Sequence, residues 1–148
     1  MRMHRSGHVL LLFLFTYALL LSSCSNESVS TSPNSATVKE VIDGDTIDIE
    51  IGGKTERVRF IGIDTPETKH PTKGVQCFGP EASAYVEQLL PEGTGLRVER
   101  DVEARDKYGR LLLYVYIENS NVFVNLDLVL QGYARPMVFE PNTAHKAD

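Results

Sequence analysis

Three short segments of this 148-residue chain concentrate acids and arginines: Asp43-Gly44-Asp45-Thr46, the run from Arg59 to Pro71, and Asp106-Lys107-Tyr108-Gly109-Arg110. Asp45 and Asp64 offer hard carboxylate oxygens, the donors that Ca²⁺ takes alongside backbone carbonyls and water. Arg59 and Arg110 each carry a planar fork of donors that matches phosphate oxygens. Glu67 can accept a proton from a water that attacks phosphorus. These are the parts that cleavage of a phosphate ester requires: an activated water, neutralisation of charge on the phosphoryl oxygens, and a stabilised leaving oxygen. Each residue also has a plainer reading. Asp45 could complete a turn, Asp64 end a strand, and Glu67 sit exposed in a Pro-containing turn. Arg59 could be a solvated strand arginine like Arg57, and Arg110 a turn cation after Gly109. Asp43 reads as a loop organiser, with a place behind a metal ligand as the alternative.

Positioning these groups falls to elements legible in the pattern. Isoleucines alternate with other residues in Thr46-Ile47-Asp48-Ile49-Glu50-Ile51, the period of a half-buried strand. Gly52-Gly53 suits a two-residue hairpin turn, and Arg57 to Ile61 reads as the return strand, with Arg59 pointing away from Val58 and Phe60. Thr37 to Ile42, Leu96 to Arg100 and Leu111 to Ile117 are further strands. A helix is predicted over 80–90, capped by Gly79 and opened by Pro80, with Ala82, Tyr85, Val86, Leu89 and Leu90 on one apolar face. A shorter helix is predicted over 125–131, with Asn125 as its cap and a stop before Gly132. Five strands and two interleaved helices predict a mainly β, α+β domain: a small closed barrel of the OB type.

Composition agrees with one globular domain, at 42% hydrophobic and 24% charged residues, and no internal repeat recurs. Two cysteines cannot build a disulfide scaffold, and no Cys/His cluster suggests zinc. Met1 to His8 carries Arg2 and Arg5 without an acid, and Val9 to Leu21 is almost purely apolar but short for a membrane span. Residues 1–23 are therefore expected to be a signal peptide. Leu21-Ser22-Ser23-Cys24 resembles the lipobox of bacterial lipoproteins, which makes Cys24 an acylated membrane anchor; simple secretion is the alternative. Residues 24–35 are Ser-rich and read as a tether, leaving 36–148 as the domain. The net charge of −5 becomes more negative without Arg2 and Arg5, so phosphate binding must rest on local cations or a metal.

The run Asp64-Thr65-Pro66-Glu67-Thr68-Lys69-His70-Pro71, followed by Gly79-Pro80-Glu81-Ala82 and in order with the other motifs, resembles the staphylococcal nuclease family over Val41 to Pro141. The resemblance implies a Ca²⁺-dependent hydrolase of DNA and RNA in which water attacks in line and the 5′ oxygen leaves, giving 3′-phosphate ends. It implies that the Thr65 carbonyl joins Asp45 and Asp64 on the metal. It places Arg59 and Arg110 on the scissile phosphate, makes Glu67 the general base or the orienter of the water, and has Lys107 and Tyr108 bind a terminal phosphate. Lys69 to Val75 reads as a basic loop beside the substrate, and Cys77 as a thiol without chemistry. Two departures stand out. A gap near Pro136 leaves Val138 or Phe139 where the family stacks a tyrosine on a base, and the sequence stops short of the family's C-terminal helix, which should expose barrel surface unless the sequence is a fragment or a partner covers the gap. A monomer with no protein partner is expected. The rival reading is a noncatalytic OB-fold module that binds nucleic acid; a structural envelope lipoprotein would leave the acids and arginines unexplained.

Overall fold

A computed structural model describes residues 34–68 and 74–146. The chain divides into two units, Met1–Ser30 and Thr31–Asp148, and every described residue belongs to the second. The expected signal peptide, Cys24 and the rest of the expected tether up to residue 33, and residues 69–73 of the basic loop lie outside the described residues.

Strands β1 (Ser35–Asp43), β2 (Thr46–Ile51) and β3 (Lys54–Phe60) form an antiparallel meander. Gly52 and Gly53 turn β2 into β3 with φ of 58° and 74°, the two positive values that a tight hairpin of matching twist demands. Two register shifts in the β1–β2 pairing bend β1, as closure of a small barrel requires. β3 then pairs in parallel with β6 (Leu111–Ile117), β6 with β5 (Gly95–Glu99), and β5 with β1, closing a five-stranded barrel. A parallel pair cannot be joined by a hairpin, so the long β3–β6 crossover carries α1 (Gly79–Leu89) and β5. The core is filled by alternate strand residues, among them Ile47, Ile49, Val58, Phe60, Leu113 and Val115. Val86 and Leu90 close it from α1 and its end, and Leu128 from α2 (Val124–Leu130). The mainly β, α+β OB-type barrel read from the sequence is the fold observed.

Two local expectations are corrected, and one strand pairing is added. Phe78, with φ of 69°, and not Gly79, occupies the cap position of α1. Gly79 is already helical and serves a different need: a Cβ there would lie 2.8 Å from the Thr68 methyl and 3.0 Å from the Glu67 carbonyl. Its lack of a side chain lets the helix start press against the loop that bears Glu67. Asn125 does not cap α2 either. It is the second helical residue, only 2% exposed, and its Oδ1 accepts from the Val115 N–H at 2.9 Å while Nδ2 donates to the Ile61 carbonyl at 2.8 Å. Satisfying two barrel groups outweighs its preference for the cap. Finally, β4 (Ile63–Asp64) and β7 (Arg135–Pro136) pair as a two-stranded sheet that the pattern did not show.

The segment after β7 lies back on the barrel. Asn142 exchanges hydrogen bonds with the Glu103 backbone at 2.7 and 3.0 Å, and Asp101 accepts from the Ala144 N–H at 2.9 Å. Between this segment and the barrel is a mostly apolar cavity of about 160 Å³, lined by Ile61, Tyr114, Phe123, Met137 and Phe139 among others.

Candidate active site

The turn between β1 and β2 brings the first acids to the barrel rim. Gly44 packs so closely that an added Cβ would lie 2.9 Å from the Thr65 hydroxyl and 3.1 Å from the Ala82 methyl, so the turn touches both the 65–68 loop and α1. Asp43, only 7% exposed, fastens the three together. Its Oδ1 accepts from the Gly44 N–H, the Thr68 hydroxyl and the Ser83 hydroxyl at 2.8 to 3.0 Å, and its Oδ2 accepts from the Thr68 N–H at 3.3 Å. Burial pushes the Asp43 carboxyl up, but hydrogen bonding with the Glu67 carboxyl, Gly44 and Thr68 outweighs it and holds the group below its ordinary value. Asp43 is thus a loop organiser, and Glu67 reaches it. The Glu67 backbone is bracketed by Gln76, whose side-chain oxygen accepts from the Glu67 N–H at 3.0 Å and whose N–H donates to the Glu67 carbonyl at 2.8 Å.

Asp45, Arg59, Asp64 and Thr65 form one contact network. Asp45 Oδ2 accepts from the Thr65 N–H at 3.1 Å and lies 2.9 Å from Arg59 Nη2. The same Nη2 is 3.4 Å from Asp64 Oδ1, so one guanidinium nitrogen bridges the two acids. Arg59 Nη1 donates to the carbonyls of Phe60 and Ile63 at 2.6 and 2.9 Å. Strand alternation correctly turns Arg59 away from Val58, yet the side chain is buried rather than wet, at 8% exposure. Burial pulls its pKa down, Asp45 opposes, and the charge of Arg110 adds to the lowering, which puts Arg110 within electrostatic reach. Behind it lies the half-buried Phe139, its ring centroid 5.3 Å from the Arg59 guanidinium carbon. Arg57, by contrast, is tied to its cross-strand partner Asp48 at 2.8 and 2.9 Å.

Arg110 is aimed by Asp106. Oδ2 of Asp106 accepts from Arg110 Nε at 2.7 Å, while Oδ1 accepts from the N–H groups of Tyr108 and Arg110 at 2.9 and 3.0 Å. Burial raises the Asp106 pKa, but these bonds win and hold it below the usual carboxylate value. The Arg110 side chain makes no other hydrogen bond among the described residues, so both Nη groups remain to donate. Lys107 and Tyr108 form the tip of this turn, with Lys107 Nζ 5.0 Å from the Tyr108 ring and Tyr108 72% exposed.

Sequence reasoning assigned no role to Asp106 or Gln76 and passed over Arg135. The spacing of Asp106 to the N–H groups two and four residues on is that of a side-chain-closed turn and could have flagged it. Nothing local could have flagged Arg135, which reaches Asp64 Oδ2 through Nη2 at 2.6 Å and Nε at 3.1 Å across 71 residues of sequence.

The oxygens that Asp45, Asp64 and Thr65 offer, two carboxylates and a backbone carbonyl, are hard donors of the kind a hard cation takes. The Thr65 hydroxyl is buried without a partner among the described residues, an unsatisfied oxygen at the same point. No three His, Cys, Asp or Glu side chains cluster there among the described residues, so backbone and water must complete a coordination shell. A second cavity, of about 410 Å³, opens beside Asp64 and Thr65 and extends along residues 76–77 and 132–135.

Comparison with known proteins agrees with this arrangement. The family model described as Staphylococcal nuclease homologue matches residues 57–148. The chain is 42% identical over 119 residues to a thermonuclease of Staphylococcus intermedius, covering 80% of this chain and 69% of that protein. It is 44% identical to endonuclease YncB of Bacillus subtilis over 74% of this chain and 51% of that protein. A thermonuclease of Staphylococcus hyicus matches at 40% identity over 76% of this chain and 66% of its own length. The chain thus spans between half and about two thirds of these curated relatives. With the closed barrel and the conjunction of Asp45, Arg59, Asp64 and Arg110 at its rim, these matches show that the chain belongs to the family of staphylococcal nuclease homologues.

Proposed function

We propose that this protein is a Ca²⁺-dependent nuclease that hydrolyses phosphodiester bonds of DNA and RNA. The observation that carries the reading is the shared Arg59 contact between Asp45 and Asp64, with a second, freely donating guanidinium on Arg110 nearby. Asp45, Asp64 and the Thr65 carbonyl would hold the ion, which when bound supplies positive charge to the phosphoryl oxygens and acidifies water. Arg110 donates through its Nη groups to the non-bridging oxygens of the scissile phosphate, where negative charge grows. Arg59 is largely committed to Asp45, Asp64 and two carbonyls, so it sets the position and charge of the acids as well as adding field at the phosphate. Glu67, its backbone held by Gln76 and its carboxyl against Asp43, orients the attacking water, or takes its proton once the carboxyl is ionised and turned from Asp43 to the water. The new bond joins that water oxygen to phosphorus, the bond from phosphorus to the 5′ oxygen breaks, and the 5′ oxygen takes a proton from solvent water while the proton lost by the attacking water passes to solvent, leaving a 3′-phosphate. Lys107 and Tyr108 lie beside Arg110 at the tip of one turn, where a terminal phosphate can be met.

The purified protein should digest single-stranded DNA and RNA with Ca²⁺, stop on addition of a chelator, and leave 3′-phosphate ends. Binding without cleavage under those conditions would support the noncatalytic OB-fold module instead. We also propose export and attachment to the bacterial envelope through acylated Cys24, which rests on the amino-acid pattern of residues 1–24. Metabolic labelling with a fatty acid should mark the protein and be lost in Cys24→Ala.

A further inference from the structure

The cavity beside Asp64 is not used by the chemistry described above. It continues from the candidate metal ligands Asp64 and Thr65 along residues 76–77 to residues 132–135, and no residue of the turn that carries Arg110 lines it. Its volume of about 410 Å³ lies within the roughly 300–1,000 Å³ typical of ligand sites. Asp64 divides the two regions: its Oδ1 faces Arg59 and its Oδ2 is bonded by Arg135. The pairing of β4 with β7 sets Arg135 directly across from Asp64, and its side chain is 79% exposed with Nη1 unbonded among the described residues. Tyr133, also on the cavity wall, is fixed by stacking on Tyr85 with ring centroids 4.4 Å apart, and so offers a rigid aromatic surface.

We propose that this cavity is a second nucleotide subsite, in which Arg135 binds the phosphate next to the scissile one and Tyr133 supports the attached base. The proposal rests on the nuclease reading and adds to it a preference for strands long enough to pass Asp64. A chain of net charge −5 cannot draw a polyanion into place by its overall field, so local cations such as Arg135 decide where the strand lies. Aromatic support is the usual complement to a backbone contact on single strands, because every base has a π-face.

Exposed Cys77 lies on the cavity wall and reports on its occupancy. Alkylation of the full chain by N-ethylmaleimide, followed at Cys77 by peptide mass mapping, should slow severalfold with an oligothymidylate of about ten nucleotides, within known single-strand site sizes. A dinucleotide should leave the rate unchanged. In steady-state cleavage, Arg135→Gln should raise KM severalfold for the long strand relative to the dinucleotide. Any loss through Asp64 falls on both substrates alike, so their ratio reads the subsite. The plot of log affinity against log salt for the long strand should also become shallower by about 0.7, the loss of one phosphate contact. Equal losses on both substrates with an unchanged salt slope, or unprotected Cys77 in a protein that cleaves the oligonucleotide, would overturn the subsite while leaving the nuclease reading intact. A protein that neither binds nor cleaves the oligonucleotide would end both.

Discussion

Replacing Asp106 by Asn tests whether Arg110 acts through its orientation. Asp106 serves three donors, two backbone N–H groups through Oδ1 and Arg110 Nε through Oδ2. An amide has a single acceptor oxygen. The orientation that keeps both backbone bonds sets the new NH₂ against Arg110 Nε, so the turn survives while the guanidinium is released. A hydrogen bond between charged partners contributes about 1.5–3 kcal/mol. With side-chain exposures of 15% and 28%, solvent screening reduces this to about 1–2 kcal/mol. If that energy is expressed where charge grows on phosphate, kcat/KM should fall by about 5- to 30-fold. Single-turnover cleavage of a labelled oligonucleotide measures the rate, and urea unfolding should show little change. A variant as fast as the parent, or one whose lost activity is matched by lost stability, would refute the reasoning.

Arg59→Met should behave differently, because it strips a buried guanidinium from Asp45 and two carbonyls. A loss of about 3–5 kcal/mol of folding stability is expected in urea, whereas Arg110→Ala should leave unfolding nearly unchanged and lower the rate. Asn125→Ala orphans the Val115 N–H and the Ile61 carbonyl, so it should cost about 2–4 kcal/mol, read as a drop in Tm and in the urea midpoint; no measurable loss would show that the two groups find other partners. Asp43 and Asp106 both have pKa values held below the ordinary 3.8. Their contribution is complete above that value and lost as pH falls through the lower folded values. Circular dichroism against pH should therefore place acid unfolding at higher pH in Asp43→Asn than in the parent, and an unchanged midpoint would remove Asp43 from the account.

What the sequence revealed follows the range of the forces involved. The β2–β3 hairpin was legible because Ile47, Ile49 and Ile51 alternate and two glycines supply the turn, all within a few residues. The body of α1 was legible for the same reason, in its apolar spacing. Its cap was not, since Gly79 looks like a cap locally but is required by contact with Glu67 and Thr68. Asn125 misled in the same way: its cap preference is local, while the bonds that place it reach Ile61, 64 residues away. Two-residue strands such as β4 and β7 carry no periodicity, so the pairing of Asp64 with Arg135 left no trace. Within the site, the acids and arginines stood out by type and spacing. That Arg59 is buried and bridges Asp45 to Asp64 could be seen only once the chain was folded.

The parallel seam between β3 and β6 governs when the groups of the candidate site first meet. Asp45, Arg59 and Asp64 arrive from one side of it and Asp106 and Arg110 from the other, about half the domain apart in sequence. Loop-closure entropy opposes so non-local a junction until the contacts on both sides of it offset the cost. A chain in which this seam is open therefore holds scattered charges but no assembled site.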